Sequence, residues 1–379
     1  MTTIYTDHPT QIYINKSLFI ELSEEQSLRI DRNGRWSSWQ IGDHLYRRTY
    51  DSQIVSIKDG NYTLLSDEKH FPITQKIRDV LQSLSQKLHN GDIDFSLPVN
   101  KLNIIKEWIN KSIIWSRNSV EYEKRLFHTA YPEGIQILPP DRYRDLVIQP
   151  ALGCPSGNCT FCAFYKNNRF RIKSDNEFRR HIEAVKNLLG ENIQDRNGIF
   201  LDSASALSLS QRRMINVLNL INNFFPNPKR GIASFLDPDH APFRTVSDFL
   251  ELKKRGLSQV TIGLETGSPS LRKMLGKSDN LEILKETVDA LKAADIQVAL
   301  TVLIGAGGMG KVDHHRGETV NLIKKLDLSK PDIIYLSPLN GSIPTDRINS
   351  EMAAFKDILK EIIPSHISPY NMERFYYFS

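Results

Sequence analysis

From about residue 143 onward, the hydrophobic positions alternate between two patterns. Short apolar runs, typical of buried strands, are separated by longer amphipathic segments whose apolar residues recur at helical spacing. The runs cover residues 146–148, 199–201, 232–235, 260–262, 298–304 and 333–336. The segments predict helices near 175–189, 211–225, 247–255, 280–294 and 314–326. The first of these helices opens with Ser174 and Glu177, a capping box.

This alternation predicts an α/β fold in which helices cover a parallel sheet. Two architectures fit it, a partial (β/α) barrel and a doubly wound open sheet. Both bind their ligands at the carboxyl ends of the strands. Candidate chemistry is therefore expected in the loops that follow the apolar runs.

The N-terminal part of the chain follows a different pattern. In the first 65 residues, β-branched and aromatic runs are separated by the hairpin dipeptides Asn33-Gly34 and Asp59-Gly60. Two helical patterns follow, on Ile77, Val80, Leu81, Leu84 and Leu88, and on Leu102, Ile105, Ile109 and Ile113. We therefore expect an N-terminal α+β extension over 1–130, a barrel over 131–340 and a C-terminal extension over 341–379.

Composition and charge indicate the broad class of protein but not the reaction or ligand. The formal net charge is +5, spread along the chain, which is compatible with an anionic partner but does not require one. The sequence has no apolar run of about eighteen residues and no basic region followed by an apolar stretch at its start. These features predict a cytoplasmic protein that does not cross a membrane.

The three cysteines of the chain, Cys154, Cys159 and Cys162, all lie in the loop after the first strand of the alternating region. An odd number of cysteines in one cluster argues against a disulfide framework. Three thiolates leave one coordination position of a bound metal free, for water on zinc or for a substrate or cofactor on one iron of a cluster.

Three interpretations of this loop compete. Structural zinc needs a fourth ligand, and the loop contains no histidine; His181 lies on the following helix. Inert thiols are usually dispersed through a core. An iron–sulfur cluster with one open iron fits best, because Gly153, Pro155 and Gly157 favour an irregular backbone that can surround a cluster.

On these residues the sequence resembles the radical SAM superfamily, and its C-x4-C-x2-C spacing resembles a branch of that superfamily with one residue more than the usual C-x3-C-x2-C. The resemblance covers about residues 143–340. It implies a partial (β/α)6 TIM-like barrel and a [4Fe-4S] cluster whose open iron binds S-adenosyl-L-methionine. It also implies reductive cleavage to a 5′-deoxyadenosyl radical, hydrogen abstraction from a substrate, and sensitivity to oxygen.

The resemblance also suggests cofactor-binding residues. Phe161 would line the adenine side of the site, and Asp202, Ser203 and Ser205 would accept the methionine amino group, although the usual glycine-glycine-glutamate pattern is missing. Glu265, in Gly263-Leu264-Glu265-Thr266-Gly267, would bind the ribose or methionine moiety. Further candidates lie at other strand ends: Ser234, Tyr335 and Ser337. For each residue the alternative is a structural role, as a polar turn, a helix cap or a packed side chain.

Residues 305–310 match G-x-G-x-x-G, the dinucleotide-binding fingerprint. This match follows the fifth predicted strand, whereas the fingerprint normally belongs to the first βαβ unit of its domain. The preferred interpretation is a loop in which Gly305 and Gly307 let the backbone approach the adenosyl cofactor; nicotinamide binding is the alternative.

Three classes of function follow from the sequence. The first is a radical SAM enzyme acting on a small metabolite or natural-product intermediate. The second is a radical SAM enzyme that modifies RNA or a peptide, with the N-terminal region as a recognition module. The third is a non-enzymatic iron–sulfur or zinc protein. The resemblance implies an external electron donor, such as flavodoxin or ferredoxin, for either enzyme.

Overall fold

The computed structural model describes residues 2–5, 10–91, 99–115, 117–165, 169–372 and 375–379. They form two compact units. The first contains 1–134, 183–195 and 376–379, and the second contains 135–182 and 196–375. The predicted boundaries near 130 and 340 stay predictions. No helix in these described ranges is long and apolar enough to cross a membrane.

The first unit contains an antiparallel sheet in which eight strands pair in chain order. The strands are β1 (Thr2–Tyr5), β2 (Gln11–Ile14), β3 (Leu18–Ser23), β4 (Gln26–Ile30), β5 (Trp36–Ile41), β6 (His44–Arg48), β7 (Ile54–Lys58) and β8 (Asn61–Leu64). Both predicted hairpins are confirmed. Asp59 and Gly60 have φ of 49° and 73°, the left-handed backbone that a tight two-residue turn between β7 and β8 requires.

Three helices follow the sheet: α1 (Asp67–Asn90), α2 (Val99–Ile114) and α3 (Arg117–Ala130). The first two were predicted from their apolar periodicity. Helix α1 ends at Gly91, whose φ of 77° lets its N–H bond to the Lys87 carbonyl. The apolar faces of α1 and α2 pack on one side of the sheet, with a core that includes Ile20, Leu28, Trp39, Leu81 and Ile109.

The second unit contains a wholly parallel sheet with the spatial order β17-β16-β15-β14-β13-β12-β9. Its strands are β9 (Leu146–Ile148), β12 (Ile199–Leu201), β13 (Ile232–Leu236), β14 (Leu257–Glu265), β15 (Gln297–Ile304), β16 (Ile333–Pro338) and β17 (His366–Pro369). Two further short strands, β10 (Ala151–Leu152) and β11 (Arg171–Ile172), form a separate hairpin.

The order of these strands decides between the two predicted architectures. A doubly wound sheet reverses its strand order at a switch point, whereas here each strand pairs with the next parallel strand along the chain. The described sheet is thus that of a partial (β/α) TIM-like barrel, as the resemblance implied. The six predicted strands are confirmed, and β17, within the expected C-terminal extension, adds a seventh.

Helices connect the parallel strands. They are α4 (Asp175–Leu189), α5 (Gln211–Phe224), α6 (Val246–Lys253), α7 (Pro269–Met274), α8 (Leu281–Ala293), α9 (Val312–Ile323) and α10 (Thr345–Ile362). The capping box that opens α4 is confirmed, since Ser174 N donates to Glu177 Oε2 at 2.8 Å and Glu177 N donates to Ser174 Oγ at 3.3 Å. Sequence periodicity did not predict α3, α7 or α10.

Candidate functional site

The cysteine loop connects β10 to β11, directly after the first strand of the parallel sheet. All three thiols are free and partly exposed. The loop backbone already approaches one sulfur, since Gly157 N lies 3.3 Å from Cys154 Sγ. Gly157 has a φ of 66°, which favours glycine at this turn. The structure thus presents three unpaired sulfur ligands on one short, irregular segment.

A second loop holds the cysteine loop in place. Thr160 N donates to the Leu275 carbonyl at 3.0 Å, and Thr160 Oγ1 donates to the Met274 carbonyl at 3.4 Å. Gly276 has a φ of 75°, and a Cβ at this position would overlap the Asn158 carbonyl oxygen. The cysteine loop is therefore fixed by the last residue of α7 and the turn after it. Helix α7 in turn follows the end of β14.

Glu265 lies at the carboxyl end of β14, in an irregular stretch of the pairing with β15. Its φ of 62° is uncommon for a residue with a side chain, and such outliers cluster at functional sites. The carboxylate is buried, and burial raises its pKa, against the opposing charges of Lys277 and Arg272. Among the described residues no group donates a hydrogen bond to it.

Lys277 lies between two carboxylates. Its Nζ is 3.8 Å from Asp237 Oδ1 and 3.9 Å from Glu265 Oε1, and its side chain is 8% exposed. This positive charge also acts on the cysteine loop. Burial raises the pKa of the Cys159 thiol to about 11, and Lys277 acts in the opposite direction. Asp237, Glu265, Lys277 and Cys159 therefore form one electrostatically coupled group.

Asp202, predicted to bind the cofactor, follows β12 and is fully buried. It accepts hydrogen bonds from Gln149 Nε2 at 2.8 Å and from Tyr165 Oη at 3.4 Å. Burial raises its pKa to about 6, against the lowering effect of these hydrogen bonds. Tyr165 also interacts electrostatically with Cys162 and Cys154. Tyr165 therefore links Asp202 to the cysteine loop.

Two of the predicted serines are buried with a hydroxyl that has no partner among the described residues. Ser203 follows Asp202 after β12, and Ser337 lies near the end of β16. An unpartnered buried hydroxyl costs free energy, on the order of 1–3 kcal/mol in proteins. A ligand that hydrogen-bonds to Ser203 and Ser337 would offset that cost.

Three other predicted residues are engaged inside the protein. Ser205 Oγ accepts from Asp237 N at 3.0 Å, which joins the loops after β12 and β13. Ser234 Oγ lies 3.2 Å from the Leu201 carbonyl oxygen. The Tyr335 hydroxyl donates to Asp141, which precedes β9, at the amino-end side of the sheet. The structure thus gives these side chains structural partners.

Phe161 is partly buried and packs against the cluster of Leu275, Leu303 and Ala306. This places the aromatic residue of the cysteine loop beside the carboxyl end of β15 and the turn after α7. Within the glycine-rich loop, Gly305 and Gly307 have φ of 94° and 88°. A Cβ at Gly307 would lie 2.7 Å from Leu271 Cδ2, and its positive φ is rare for residues with a side chain, so the local structure itself favours glycine here.

The donor set fits an iron–sulfur cluster better than the zinc alternative. His181, the nearest histidine in sequence, accepts a hydrogen bond from Gln149 N through Nε2 at 2.8 Å. In the part of the chain that the structure describes, no three His, Cys, Asp or Glu side chains surround one metal position. An iron–sulfur cluster does not require three ligands around a single metal position, because each cysteine binds a different iron.

Sequence reasoning missed Lys277 and Asp237. Lys277 lies in the short turn 275–278 between two helices, and Asp237 follows Leu236 in a loop, so neither belongs to a recognisable motif. The one available signal was the position of Asp237 directly after a predicted parallel strand, where side chains meet at the carboxyl edge of the sheet.

No family model matches the chain. One curated relative is the threonylcarbamoyladenosine tRNA methylthiotransferase MtaB of Thermotoga maritima. It is 21% identical over 369 residues, which cover 89% of this chain and 81% of the relative.

Solved structures similar to this chain include radical SAM enzymes. The radical S-adenosylmethionine methyltransferase TsrM of Kitasatospora setae is 17% identical, with 52% of this chain and 35% of that chain covered and a TM-score of 0.39. The chain thus spans about a third of TsrM. Coproporphyrinogen III oxidase HemN of Escherichia coli, a radical SAM enzyme, is 10% identical, with 58% and 54% covered and a TM-score of 0.43.

Radical SAM enzymes, the family that the sequence resembles, are thus among the proteins to which this chain is similar. The C-x4-C-x2-C branch stays a prediction, and so do the individual site residues.

Proposed function

We propose that this protein is a radical SAM enzyme, in which Cys154, Cys159 and Cys162 hold a [4Fe-4S] cluster and the open iron binds S-adenosyl-L-methionine. The observation that carries the proposal is the set of three free thiols on one loop at the carboxyl edge of a parallel partial barrel. When bound, the cluster would supply one electron that cleaves the sulfonium to methionine and a 5′-deoxyadenosyl radical, which abstracts a hydrogen atom from the substrate.

The chain's own residues would bind and orient the cofactor. Glu265 is an acceptor without a donor among the described residues, which suits a hydroxyl or ammonium group of the cofactor. Asp202 offers a second buried carboxylate, held by Gln149 and Tyr165. Ser203, after β12, and Ser337, near the end of β16, each have a buried hydroxyl without a partner among the described residues. These groups supply polar contacts at fixed positions, which favours one bound geometry.

The interior of the second unit supports a role in excluding water. Tyr335 and Tyr370 lie 5.5 Å apart, centroid to centroid, in a cluster with Ile137 and Ala299, and partly buried Phe164 and Phe235 pack against it. An apolar, aromatic interior protects a reactive carbon radical from solvent and from polar side chains. We infer that a small metabolite or natural-product intermediate is the substrate, and that an external donor such as flavodoxin or ferredoxin supplies the electron.

The test is anaerobic purification followed by iron and sulfide analysis. We expect about four irons per chain after reconstitution, a broad visible absorbance, and release of methionine and 5′-deoxyadenosine when S-adenosyl-L-methionine and dithionite are added. Stoichiometric zinc with no iron would contradict the proposal. Deuterated candidate substrates then identify the hydrogen donor, because its deuterium appears in 5′-deoxyadenosine.

RNA modification is a second candidate, supported by two observations. The relative MtaB is named for its action on tRNA. On the face of the N-terminal sheet opposite its helices, Arg29 lies over the Phe19 ring at 5.2 Å and Arg47 over the Phe378 ring at 3.7 Å. Arginine interleaved with aromatic rings is a chemistry that binds single-stranded nucleic acid.

A mobility-shift assay with unmodified tRNA separates the two candidates. Binding that is lost on R29A and R47A supports RNA modification. An affinity that these substitutions leave unchanged, or no binding at all, favours the small-molecule substrate. As a matched control, K58M removes a cation from the same sheet, where Lys58 Nζ pairs with Asp43 Oδ2 at 2.8 Å.

A further inference from the structure

The turn formed by Leu275, Gly276 and Lys277, here called the clasp, does two things at once. Through the Leu275 carbonyl it accepts a hydrogen bond from Thr160 N, and through Gly276 it packs against the Asn158 carbonyl and the Cα of Cys159. It then directs the next side chain, Lys277, into the protein. The residue adjacent to the backbone contact is therefore a buried cation.

Lys277 is mostly buried, and its charge is balanced by carboxylates that do not touch it. Its side chain is 8% exposed, yet among the described residues its ammonium group donates no hydrogen bond. The two facing carboxylate oxygens, of Asp237 and Glu265, lie at 3.8 Å and 3.9 Å. By comparison, the exposed pair of Lys58 and Asp43 closes to 2.8 Å. Burial lowers the pKa of Lys277, but the negative charges of Asp237 and Glu265 more than offset it, and the net shift is upward. The lysine therefore keeps its charge without a hydrogen bond to either carboxylate.

These distances do not suit a lysine whose only role is to neutralise carboxylates. Hydrogen bonds between an ammonium and a carboxylate are normally 2.7–2.9 Å long. The arrangement instead holds the positive charge of Lys277 near Cys159, the middle cysteine of the loop, and between the carboxylates of Asp237 and Glu265. At such a position the charge acts on Cys159 through its electric field over several ångströms, because a partly buried charge is screened less than an exposed one.

We propose that Lys277 is a positioning residue that raises the reduction potential of the cluster held by the three cysteines. The inference rests on the proposed function. Adding one electron to the cluster makes the loop more negative by one charge, and a nearby fixed cation stabilises that reduced state. Asp237 and Glu265 oppose it, so the potential reflects the balance of the three side chains.

The test compares K277M with K277R in reconstituted protein without S-adenosyl-L-methionine. Electron paramagnetic resonance at fixed solution potentials gives the ratio of reduced to oxidised cluster. We expect K277M to lower this ratio about tenfold, equivalent to about 59 mV for a one-electron couple, and K277R to restore most of it. The control is K273M, which removes an exposed lysine of the same segment and should leave the ratio unchanged.

An unchanged ratio in K277M would overturn the inference, and so would an equal loss in K277M and K277R. If K277M does not take up iron, D237N supplies the second measurement. It removes one opposing negative charge and should raise the ratio; an unchanged or lower ratio would overturn the inference. Absence of a cluster from the wild-type protein contradicts the proposed function itself, whereas a normal wild-type cluster with no charge effect contradicts only this role of Lys277.

Discussion

Each of the two units buries a glutamate among charged residues, and the two glutamates differ in how fully they are bonded. In the first unit, Glu123 accepts hydrogen bonds from Arg48, from Arg35 Nη1 at 3.3 Å, from Ser52 Oγ at 2.8 Å and from Trp115 Nε1 at 3.3 Å. In the second unit, Glu265 lies 3.9 Å from its nearest cation, Lys277. Their side chains are almost equally buried, at 8% and 9% exposed.

The pKa shifts of the two glutamates reflect this difference. Burial alone would raise the pKa of Glu123, but Arg48 and Arg35 more than offset it, and the net shift is downward. For Glu265 burial dominates, and the pKa is raised. A carboxylate with every oxygen bonded holds structure together, whereas one left without donors has unused capacity for a ligand. Burial by itself therefore does not distinguish the two carboxylates; the number of donors does.

The largest expected effect is on the cysteine loop. C154A, C159A and C162A should each abolish iron retention and 5′-deoxyadenosine formation, because each removes one of three ligands and the loop offers no replacement sulfur. Iron and sulfide per chain and the visible spectrum measure the loss. S156A, in the same loop, is the matched control and should retain iron; a cysteine variant that kept normal iron content would contradict the ligand assignment.

The second-largest expected effect is on the stability of the first unit when Glu123 is removed. E123A should destabilise the first unit by about 3–5 kcal/mol, because it leaves two buried arginines without their shared acceptor. All four tryptophans of the chain lie within residues 36–115, so their fluorescence during urea unfolding reports on the first unit. E121A, an exposed substitution on the same helix, should change the free energy of unfolding by less than about 0.5 kcal/mol. Iron content should be normal in both, and equal stabilities would show that the network is dispensable.

The pH dependence of stability should have opposite signs for Glu123 and Asp202. For Asp202 the folded pKa is raised to about 6, so between about pH 4, near the usual Asp value, and that pKa the unfolded chain loses its proton first. Stability should therefore fall as pH rises through this window, by on the order of 1–3 kcal/mol, and then level off. Glu123 has a lowered pKa, so its contribution is lost as pH falls.

Urea unfolding of the metal-free protein across this range measures the Asp202 effect. Circular dichroism follows both units, and the part of the transition without a tryptophan signal belongs to the second. D202N cannot ionise and should remove the fall, while D279N, at an exposed position of the same unit, should keep it. A profile for D202N that matches the wild type would show that Asp202 is not the titrating group.

How much the sequence predicted depends on whether a feature is local. The apolar periodicity of α1 and its stop at Gly91 are local, and the structure reproduces them. Strand β17 was missed because only one of its four residues, Ile367, is buried, and the strand has no distinctive apolar run. The cysteine loop is also a local signal. Lys277 is not, since Asp237, Glu265 and the cysteine loop approach it only after three separate loops meet at one edge of the sheet.

The smallest expected effect is on Glu265 and sharpens the contrast directly. E265Q keeps the shape of the side chain but removes the charge, so it should weaken binding of S-adenosyl-L-methionine about tenfold through the loss of a charge-assisted hydrogen bond. Iron content should be unchanged, because Glu265 is not a ligand. Equilibrium dialysis of the cluster-loaded protein measures the affinity, with E282Q, an exposed glutamate of α8, as control. If E265Q bound the cofactor as tightly as the wild type, Glu265 would not contact the cofactor. The contrast between a bonded and an unbonded buried carboxylate would then fail to identify the cofactor site.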